Sequence, residues 1–342
     1  MIWRVAILGA TGLVGRTMRT VLEERGFPVA ELRLFASERS EARTLDFGGQ
    51  AHAVQPVSAA GFDGVDLALF ACSNAVSEEW APIARARAVR VVDNSSAFRD
   101  HPEIPLVVPE INGALLDAEP TLVANPNCTM IMVALALAPL ARAVGLEAVE
   151  IASYQSVSGA GSAAVEELER GIRAGLEGPV PERLDGGAPF AFNVVPHIDR
   201  FEANGYTREE MKVMTETRKV LGLPLLPMHC TAVRVPVRIG HAAAVTARLG
   251  RALDPAAARE LWRAAPGVEV LDDPAASRYP TSLAAVGRDV ILVGRVRTAL
   301  HEPRTLAFFV SSDNLRKGAA TNAVQIAERL LRVATARSEK GA

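Results

Sequence analysis

Two segments of this 342-residue chain combine residue types and spacings that suit chemistry. One is Asn125-Pro126-Asn127-Cys128-Thr129, which follows one apolar run and opens another. The pattern predicts a strand handing over to a helix, with the thiol in the first helical turn. The positive end of a helix dipole favours the thiolate there. Even an unshifted cysteine is a few per cent ionised at neutral pH and strongly nucleophilic. Cys72 and Cys230 lack this setting and read as small buried hydrophobes. The other segment is Gly9-Ala10-Thr11-Gly12-Leu13-Val14-Gly15, between an apolar run at 3–8 and a helical pattern at 13–22. Glycines let a backbone turn tightly and approach a pyrophosphate, which the following helix N-terminus then holds. The spacing is G-x-x-G-x-x-G and not G-x-G-x-x-G, so the order strand, turn, helix carries the reading. The next strand ends in Ser37-Glu38-Arg39-Ser40. Glu38 could bind the ribose hydroxyls of NAD, but Ser37, Arg39 and Ser40 suit a 2′-phosphate, so the segment predicts NADP. A reactive thiolate beside a nicotinamide implies a defined reaction. The sulfur attacks an activated acyl group, and hydride reduces the resulting thioester to an aldehyde, or the steps run in reverse.

These residues need a scaffold. Short apolar strands are expected at 31–36, 65–71, 89–92, 106–108 and 121–124, with a helix at 76–88. Several strands are apolar on both faces, as in a covered parallel sheet, which predicts a doubly wound α/β first domain. After residue 127 the pattern changes. Helices are expected at 129–144, 162–176 and 318–333, and strands at 146–155, 229–238, 241–249, 290–297 and 305–312. Asp254-Pro255 reads as an N-cap followed by proline at the first helical position. Runs of strands with separate helices predict an α+β second domain. Arg238-Ile239-Gly240 is expected to join two of these strands as a hairpin.

Composition excludes other classes. The length suits about two domains. Lys+Arg number 37 against 39 Asp+Glu, a formal net charge of −2, which argues against a nucleic-acid partner. The longest apolar run, 130–141, has 12 residues and contains Pro139, too short to span a membrane. The N-terminus enters a strand-like run directly, so no signal peptide is expected. Three cysteines make no disulfide framework, and the chain reads as cytoplasmic. No Cys/His cluster has zinc-ligand spacing, so no metal is expected.

Further motifs recur along the chain, among them Ser153-Tyr154-Gln155-Ser156-Val157-Ser158-Gly159, Asn193-Val194-Val195-Pro196-His197, Glu209-Glu210-Met211-Lys212, Arg234-Val235-Pro236-Val237, Gly240-His241 and Asn314-Leu315-Arg316-Lys317-Gly318-Ala319-Ala320. With the two segments above, they give a chain that resembles the aspartate-β-semialdehyde dehydrogenase family over nearly its whole length. The resemblance implies a Rossmann-type NADP-binding domain at 1–127, completed by 315–342, and an α+β catalytic and dimerisation domain at 128–314. It implies reductive dephosphorylation of L-aspartyl 4-phosphate to L-aspartate 4-semialdehyde, in the biosynthesis of lysine, threonine, methionine and isoleucine, by a homodimer. Cys128 is then the nucleophile, His241 the general acid/base, and Gln155 the residue that helps place the acyl group. Arg234 matches a carboxylate ligand and Glu209 an ammonium ligand. Lys212 and Arg99 match phosphate ligands, with Asn127 beside the same site. Ser73, in the nicotinamide-side loop, and Asn314 are assigned to the cofactor. Three departures stand out. Ala242-Ala243 follow the histidine where Ser-Glu is common, Met130 replaces a second threonine, and the loop at 70–74 has little glycine. The alternatives are N-acetyl-γ-glutamyl-phosphate reductase, a malonyl-coenzyme A reductase-like enzyme, and a non-catalytic NADP-binding paralogue. Glu209 argues against the first, whose substrate amine is acylated.

Overall fold

The computed structural model describes residues 2–37 and 43–340. Arg39 and Ser40, assigned above to a 2′-phosphate, lie outside the described residues, as does Glu38. Tertiary contacts divide the chain into two compact units, 1–127 with 319–342, and 128–318.

The first unit runs β1 (Trp3–Leu8), α1 (Leu13–Glu24), β2 (Val29–Ala36), β3 (Thr44–Phe47), β4 (Gln50–Pro56), β5 (Leu67–Phe70), α2 (Asn74–Arg85), β6 (Arg90–Asp93), α3 (Pro109–Asn112) and β7 (Leu122–Ala124). Its sheet has the order β3-β4-β2-β1-β5-β6-β7. All pairs are parallel except β3–β4. The chain moves outward from β1 in one direction through β2 and then in the other through β5. The strand order therefore reverses at β1, where open α/β sheets bind ligands beyond the strands' carboxyl ends. The β3–β4 hairpin is not anticipated by the sequence reading, because its short strands are mostly exposed and give little apolar alternation. Gly48 and Gly49 turn it, both with positive φ, as a two-residue hairpin turn requires. The strand expected at 106–108 is a correction. Pro105 and Pro109 flank it, and among the described residues only a single bridge, Leu106 to Ala124, forms there.

The second unit runs α4 (Cys128–Val144), β8 (Leu146–Gln155), α5 (Ser162–Glu177), α6 (Arg208–Leu221), β9 (Met228–Arg234), β10 (His241–Leu249), α7 (Pro255–Arg263), β11 (Val268–Val270), α8 (Ser282–Ala285), β12 (Ile291–Ala299) and β13 (Glu302–Ser312). The sheet order is β11-β12-β13-β10-β8-β9. Helix α4 is apolar on every side and buried from Thr129 to Ala138, so it forms the centre of this unit's core. Asp254 caps α7 through the Ala256 N–H, with Pro255 at the first helical position. The hairpin expected around residues 238–240 does not form. β8 lies between β9 and β10, parallel to one and antiparallel to the other. β9 stops at Arg234 because Pro236 has no N–H to continue the ladder. The last helix, α9 (Thr321–Lys340), packs Val324, Ile326 and Leu330 into the first unit's core with Val5, Ile7 and Met18. Among the described residues, no helix is long and apolar enough to cross a membrane.

At the end of β1 the turn geometry demands glycine. Gly9 has φ +86°, and a Cβ there would lie 2.2 Å from the Ala71 carbonyl oxygen. A Cβ on Gly15 would lie 2.2 Å from the Gly9 carbonyl oxygen. Gly9→Ala combines a left-handed backbone with a backbone clash, so it is expected to cost about 2 kcal/mol or more. Urea unfolding midpoints of the two proteins measure this. An unchanged midpoint would show that the turn can relax.

Candidate active site

In the second unit, the carboxyl ends of β8 and β9 and the amino ends of α4, α6 and β10 supply one group of polar side chains. Cys128 is the first residue of α4. Gly318, in a π-helical turn (Arg316–Ala320), packs against it, and a Cβ there would sit 3.1 Å from the Cys128 Cβ. Gln155 and Arg234 are register partners at the ends of β8 and β9. Gln155 Nε2 donates to Glu209 Oε1 at 3.1 Å and to Ser153 Oγ at 3.3 Å. Glu209 is buried in the first turn of α6, a helix started by a capping box between Thr207 and Glu210. Lys212 lies one turn further on. Its Nζ is 3.9 Å from Glu209 Oε2 but only 2.7 Å from Asp199 Oδ2. Asp199 is held with φ +69°. Burial opposes its charge, but hydrogen bonds from Lys212 and the Arg200 N–H outweigh this and hold the carboxyl below its ordinary value.

Arg234 is only 7% exposed and donates through Nη1 to the Ser156 carbonyl at 2.7 Å. Burial draws its pKa down, while Glu209 and Cys128 support its charge. His241 is fully buried. Its Nδ1 accepts from the Ser156 N–H at 3.0 Å, and its Nε2 has no hydrogen-bond partner among the described residues. Burial, followed by the charge of Arg234, pushes its pKa well below the ordinary histidine value, so the ring is neutral at pH 7. Gly159 lies against both groups. A Cβ there would be 3.1 Å from Arg234 Nη1 and 3.3 Å from His241 Nε2.

The structure thus gathers Cys128, Gln155, Glu209, Lys212, Arg234 and His241 in one unit. Asn314 is in the same unit. Its Oδ1 accepts from Ser156 Oγ at 3.0 Å and the Gly240 N–H at 2.9 Å, and its Nδ2 donates to Ser158 Oγ at 2.9 Å. Three of its four hydrogen-bonding places are therefore taken up inside the unit. Ser156, Ser158, Gly159 and Asp199 have no role in the sequence reading. The only signal was the serine-rich run 153–159, in which no single residue type announces chemistry.

The other candidates belong to the first unit. Arg99 is buried and donates through Nη2 to the Asn94 carbonyl at 2.8 Å. Its loop is fastened at both sides. Asp93, a buried carboxylate overlooked in the sequence, accepts from Ser77 Oγ at 2.7 Å and Ser95 Oγ at 2.6 Å. Asn125 Nδ2 donates to Asn94 Oδ1 at 2.6 Å, which ties this loop to the segment ending in the buried Asn127. At the switch point, the Gly9 and Ala10 N–H groups donate to the Phe35 carbonyl at 2.8 and 3.0 Å. Gly12 starts α1 and brings no side-chain cap, and Leu13, Val14 and Gly15 form the first turn. Thr11 lies within this turn. An uncapped, glycine-lined helix start fits a dinucleotide pyrophosphate. Ser37 is exposed at the end of β2, and Ser73 is exposed at the start of α2 without capping it. Both hydroxyls suit the ribose-phosphate and nicotinamide ends of such a cofactor.

A nucleophilic thiol, a neutral imidazole, a buried guanidinium and a buried carboxylate suit covalent acyl chemistry on a small substrate with both charge signs. Comparison with known proteins agrees with that chemistry. Residues 4–118 match the semialdehyde dehydrogenase NAD-binding domain family, and residues 137–317 match the semialdehyde dehydrogenase dimerisation domain family. The aspartate-semialdehyde dehydrogenase of Aquifex aeolicus is 45% identical over 96% of this chain and 98% of its own. That of Legionella pneumophila is 47% identical over 96% and 95%. The crystal structure of aspartate semialdehyde dehydrogenase II from Vibrio cholerae, complexed with ASA, is similar at a TM-score of 0.94 and 44% identity, over 97% of this chain and 99% of that one.

Gly159→Ala tests whether the gap beside Arg234 and His241 matters. The new methyl must push both groups by a few tenths of an ångström. A misplacement of that size is expected to lower kcat/KM roughly tenfold, with little change in thermal stability. Steady-state kinetics and a melting curve on one preparation check this. Wild-type kinetics from the alanine variant would remove Gly159 from the site.

Proposed function

The chain belongs to the aspartate-semialdehyde dehydrogenase family, and from this we infer that it converts L-aspartyl 4-phosphate to L-aspartate 4-semialdehyde by reductive dephosphorylation. It serves the biosynthesis of lysine, threonine, methionine and isoleucine, and its cofactor is NADP. The Cys128 thiolate adds to the acyl carbon, phosphate departs, and a thioester remains on the sulfur. NADPH, when bound, supplies the hydride that takes this thioester to the aldehyde level. His241 is assigned as the general acid/base. Arg234 takes the α-carboxylate through its planar two-point fork, Glu209 takes the α-ammonium, and Gln155, bonded to Glu209, places the acyl group. Lys212 is assigned to the phosphate, which must share it with Asp199. In the first unit, Arg99 carries the same assignment, with Asn127 next to it. Residues 9–15 form the pyrophosphate turn, in which the Gly9, Ala10 and Gly12 amides are bonded within the protein and the amides of the first turn of α1 are left for the phosphates, and Ser37, Arg39 and Ser40 hold the 2′-phosphate. Ser73 and Asn314 are assigned to the nicotinamide side.

One observation supports this substrate above all: a buried guanidinium and a buried carboxylate at the ends of neighbouring elements, each an electrostatic neighbour of the other. A free amino acid backbone presents the matching pair of charges. The N-acylated substrate of the rival reductase would bring no cation to Glu209.

We assign residues 1–127 with the C-terminal segment to cofactor binding, and residues 128–314 to catalysis and dimerisation. A homodimer suits the outer face of the second sheet. Ala152, Ala244, Thr246 and Phe309 lie there half-buried, and Tyr154 is exposed beside them. The cytoplasm suits a chain whose three cysteines are all free thiols, one of them the nucleophile.

Two measurements test the reading. Cys128→Ala is expected to abolish phosphate-dependent aldehyde oxidation and leave NADP binding intact. Iodoacetamide should label Cys128 first, since burial pushes the Cys72 thiol up to about 11 and the Cys230 thiol higher still. Substantial turnover by the alanine variant would end the covalent mechanism. Arg39→Ala is expected to weaken NADPH about ten- to a hundredfold more than NADH, the worth of one charge-assisted hydrogen bond. Equal losses in a fluorescence titration would remove Arg39 as the discriminator.

A further inference from the structure

We propose that Asp199 is a positioning residue that keeps the two substrate ligands of α6 from pairing with each other: it draws Lys212 off Glu209, so that Glu209 can take the substrate ammonium and Lys212 the phosphate. The proposal rests on those two assignments, made above. Its starting point is a conflict built into one helix. Glu209 and Lys212 are three residues apart, with the acid on the N-terminal side, and such pairs attract along a helix. Their side chains are only 9% and 19% exposed, so salt and water screen the attraction weakly. Closed into a direct ion pair, the two would cancel the charges that a zwitterionic acyl phosphate has to meet. The structure does not close it. Lys212 Nζ stands 3.9 Å from Glu209 Oε2, beyond hydrogen-bonding distance, and 2.7 Å from Asp199 Oδ2.

Asp199 is fixed in place for this pull. Its carboxylate divides its oxygens. Oδ1 accepts from the Arg200 N–H at 2.9 Å, and Oδ2 takes the lysine. Its backbone has φ +69°, a left-handed conformation that aspartate and asparagine adopt more readily than most residues with a side chain. The segment behind it is clipped to the start of α6. The Arg208 N–H donates to the Arg200 carbonyl at 2.8 Å, Phe201 bridges Thr207, and the Glu202 N–H donates to the Tyr206 carbonyl at 2.8 Å. The carboxylate therefore has a set place relative to the helix that carries both ligands. The arginines of the clip, Arg200 and Arg208, lie 3.4 and 3.7 Å from Glu202 and leave Oδ2 to the lysine.

This arrangement gives each charged group of the substrate its own partner. An ammonium on a lysine has three N–H donors, and one bond to Asp199 leaves two for a phosphate. Glu209 accepts from Gln155 through Oε1, and its Oε2 is the oxygen that faces the lysine. A substrate ammonium can use Oε2 only while the lysine stands back from it. Lys212 pairs with two carboxylates among the described residues, those of Asp199 and Glu209. Taking the charge from the first hands the lysine to the second.

Asp199→Asn tests this, because asparagine keeps the shape of the side chain and tolerates the left-handed backbone. The quantity to measure is the preference for an aldehyde that bears an α-amine. It is the ratio of kcat/KM for L-aspartate 4-semialdehyde to that for succinate semialdehyde, the same chain without the amine, in phosphate-dependent oxidation by NADP. The variant should lower this ratio about tenfold, the lower end of what a charge-assisted hydrogen bond contributes. The KM for L-aspartate 4-semialdehyde should carry the change, with kcat nearly constant. An equal fall for both aldehydes, the mark of a merely structural role, would overturn the proposal, as would no change at all. In a Lys212→Met background, Asp199→Asn should alter the ratio by no more than about twofold. A tenfold fall there would show that Asp199 does not act through the lysine. A crystal structure of Asp199→Asn should place Lys212 Nζ about 3 Å from the Glu209 carboxylate. A lysine still standing 3.9 Å away would also overturn the proposal. If the wild type oxidises neither aldehyde, the function assigned above fails, while the lysine's place in the variant crystal still decides the positioning claim.

Discussion

A buried guanidinium constrains everything around it. Arg234 has to lose most of its hydration at the end of β9, and an isolated charge there would cost several kcal/mol. Its compensation is distributed. The Ser156 carbonyl accepts one hydrogen bond, the Glu209 carboxylate lies nearby, and the Cys128 sulfur supplies negative charge when ionised. Each partner is then positioned by the same requirement. Glu209 receives a hydrogen bond from Gln155 and lies in the first turn of α6, where the helix dipole favours an anion. The His241 imidazole is kept neutral first by its own burial and then by the Arg234 charge. The polarity of the site thus follows from burial and from one arginine placed out of water.

The same requirement explains why β8 carries so many of the fixed points. It lies between the strands that bear Arg234 and His241. Only the segment leaving β8 can reach both, and Ser156 does so with its carbonyl to one and its N–H to the other. A single peptide-bonded residue therefore sets the spacing of the Arg234 guanidinium and the His241 imidazole. Gly159 completes this arrangement by contributing no side chain where the two groups approach each other.

The fold class and the strand–turn–helix at Gly9 were legible because their signals are local. Apolar runs of strand length, the glycine spacing, and the Asp254-Pro255 helix start depend on neighbours in sequence. The full bounds of β8 and β10 were readable from 146–155 and 241–249. Pairing was not. Arg234 and His241 are seven positions apart, and a hairpin was the economical expectation, yet β8 separates their strands. Nothing between residues 228 and 249 indicates that a strand from position 146 enters there. The hairpin β3–β4 escaped for the opposite reason, since its residues are mostly exposed and bury too little to leave a pattern. Gln155, Glu209, Lys212 and Arg234 were reachable only through resemblance, because each is unremarkable within its own segment.

This difference has a physical basis in how the two units build their sites. In the first, the groups assigned to the cofactor are backbone amides at a helix start, and backbone can approach a ligand only where side chains are missing. That demand appears in sequence as glycine at fixed spacing, because Gly9 and Gly15 admit no Cβ. In the second, the groups are side chains at strand and helix ends, and any polar residue at such an end looks like surface until its burial is known. Ser156 lies at the limit of this rule. Its contribution to His241 begins with a backbone N–H that every residue but proline possesses, so no choice of residue type could have revealed it. A backbone donor also cannot be exchanged for an acceptor by substitution. A hydrogen bond made that way is insulated from sequence drift at its own position, and variation can reach it only by shifting the backbone itself.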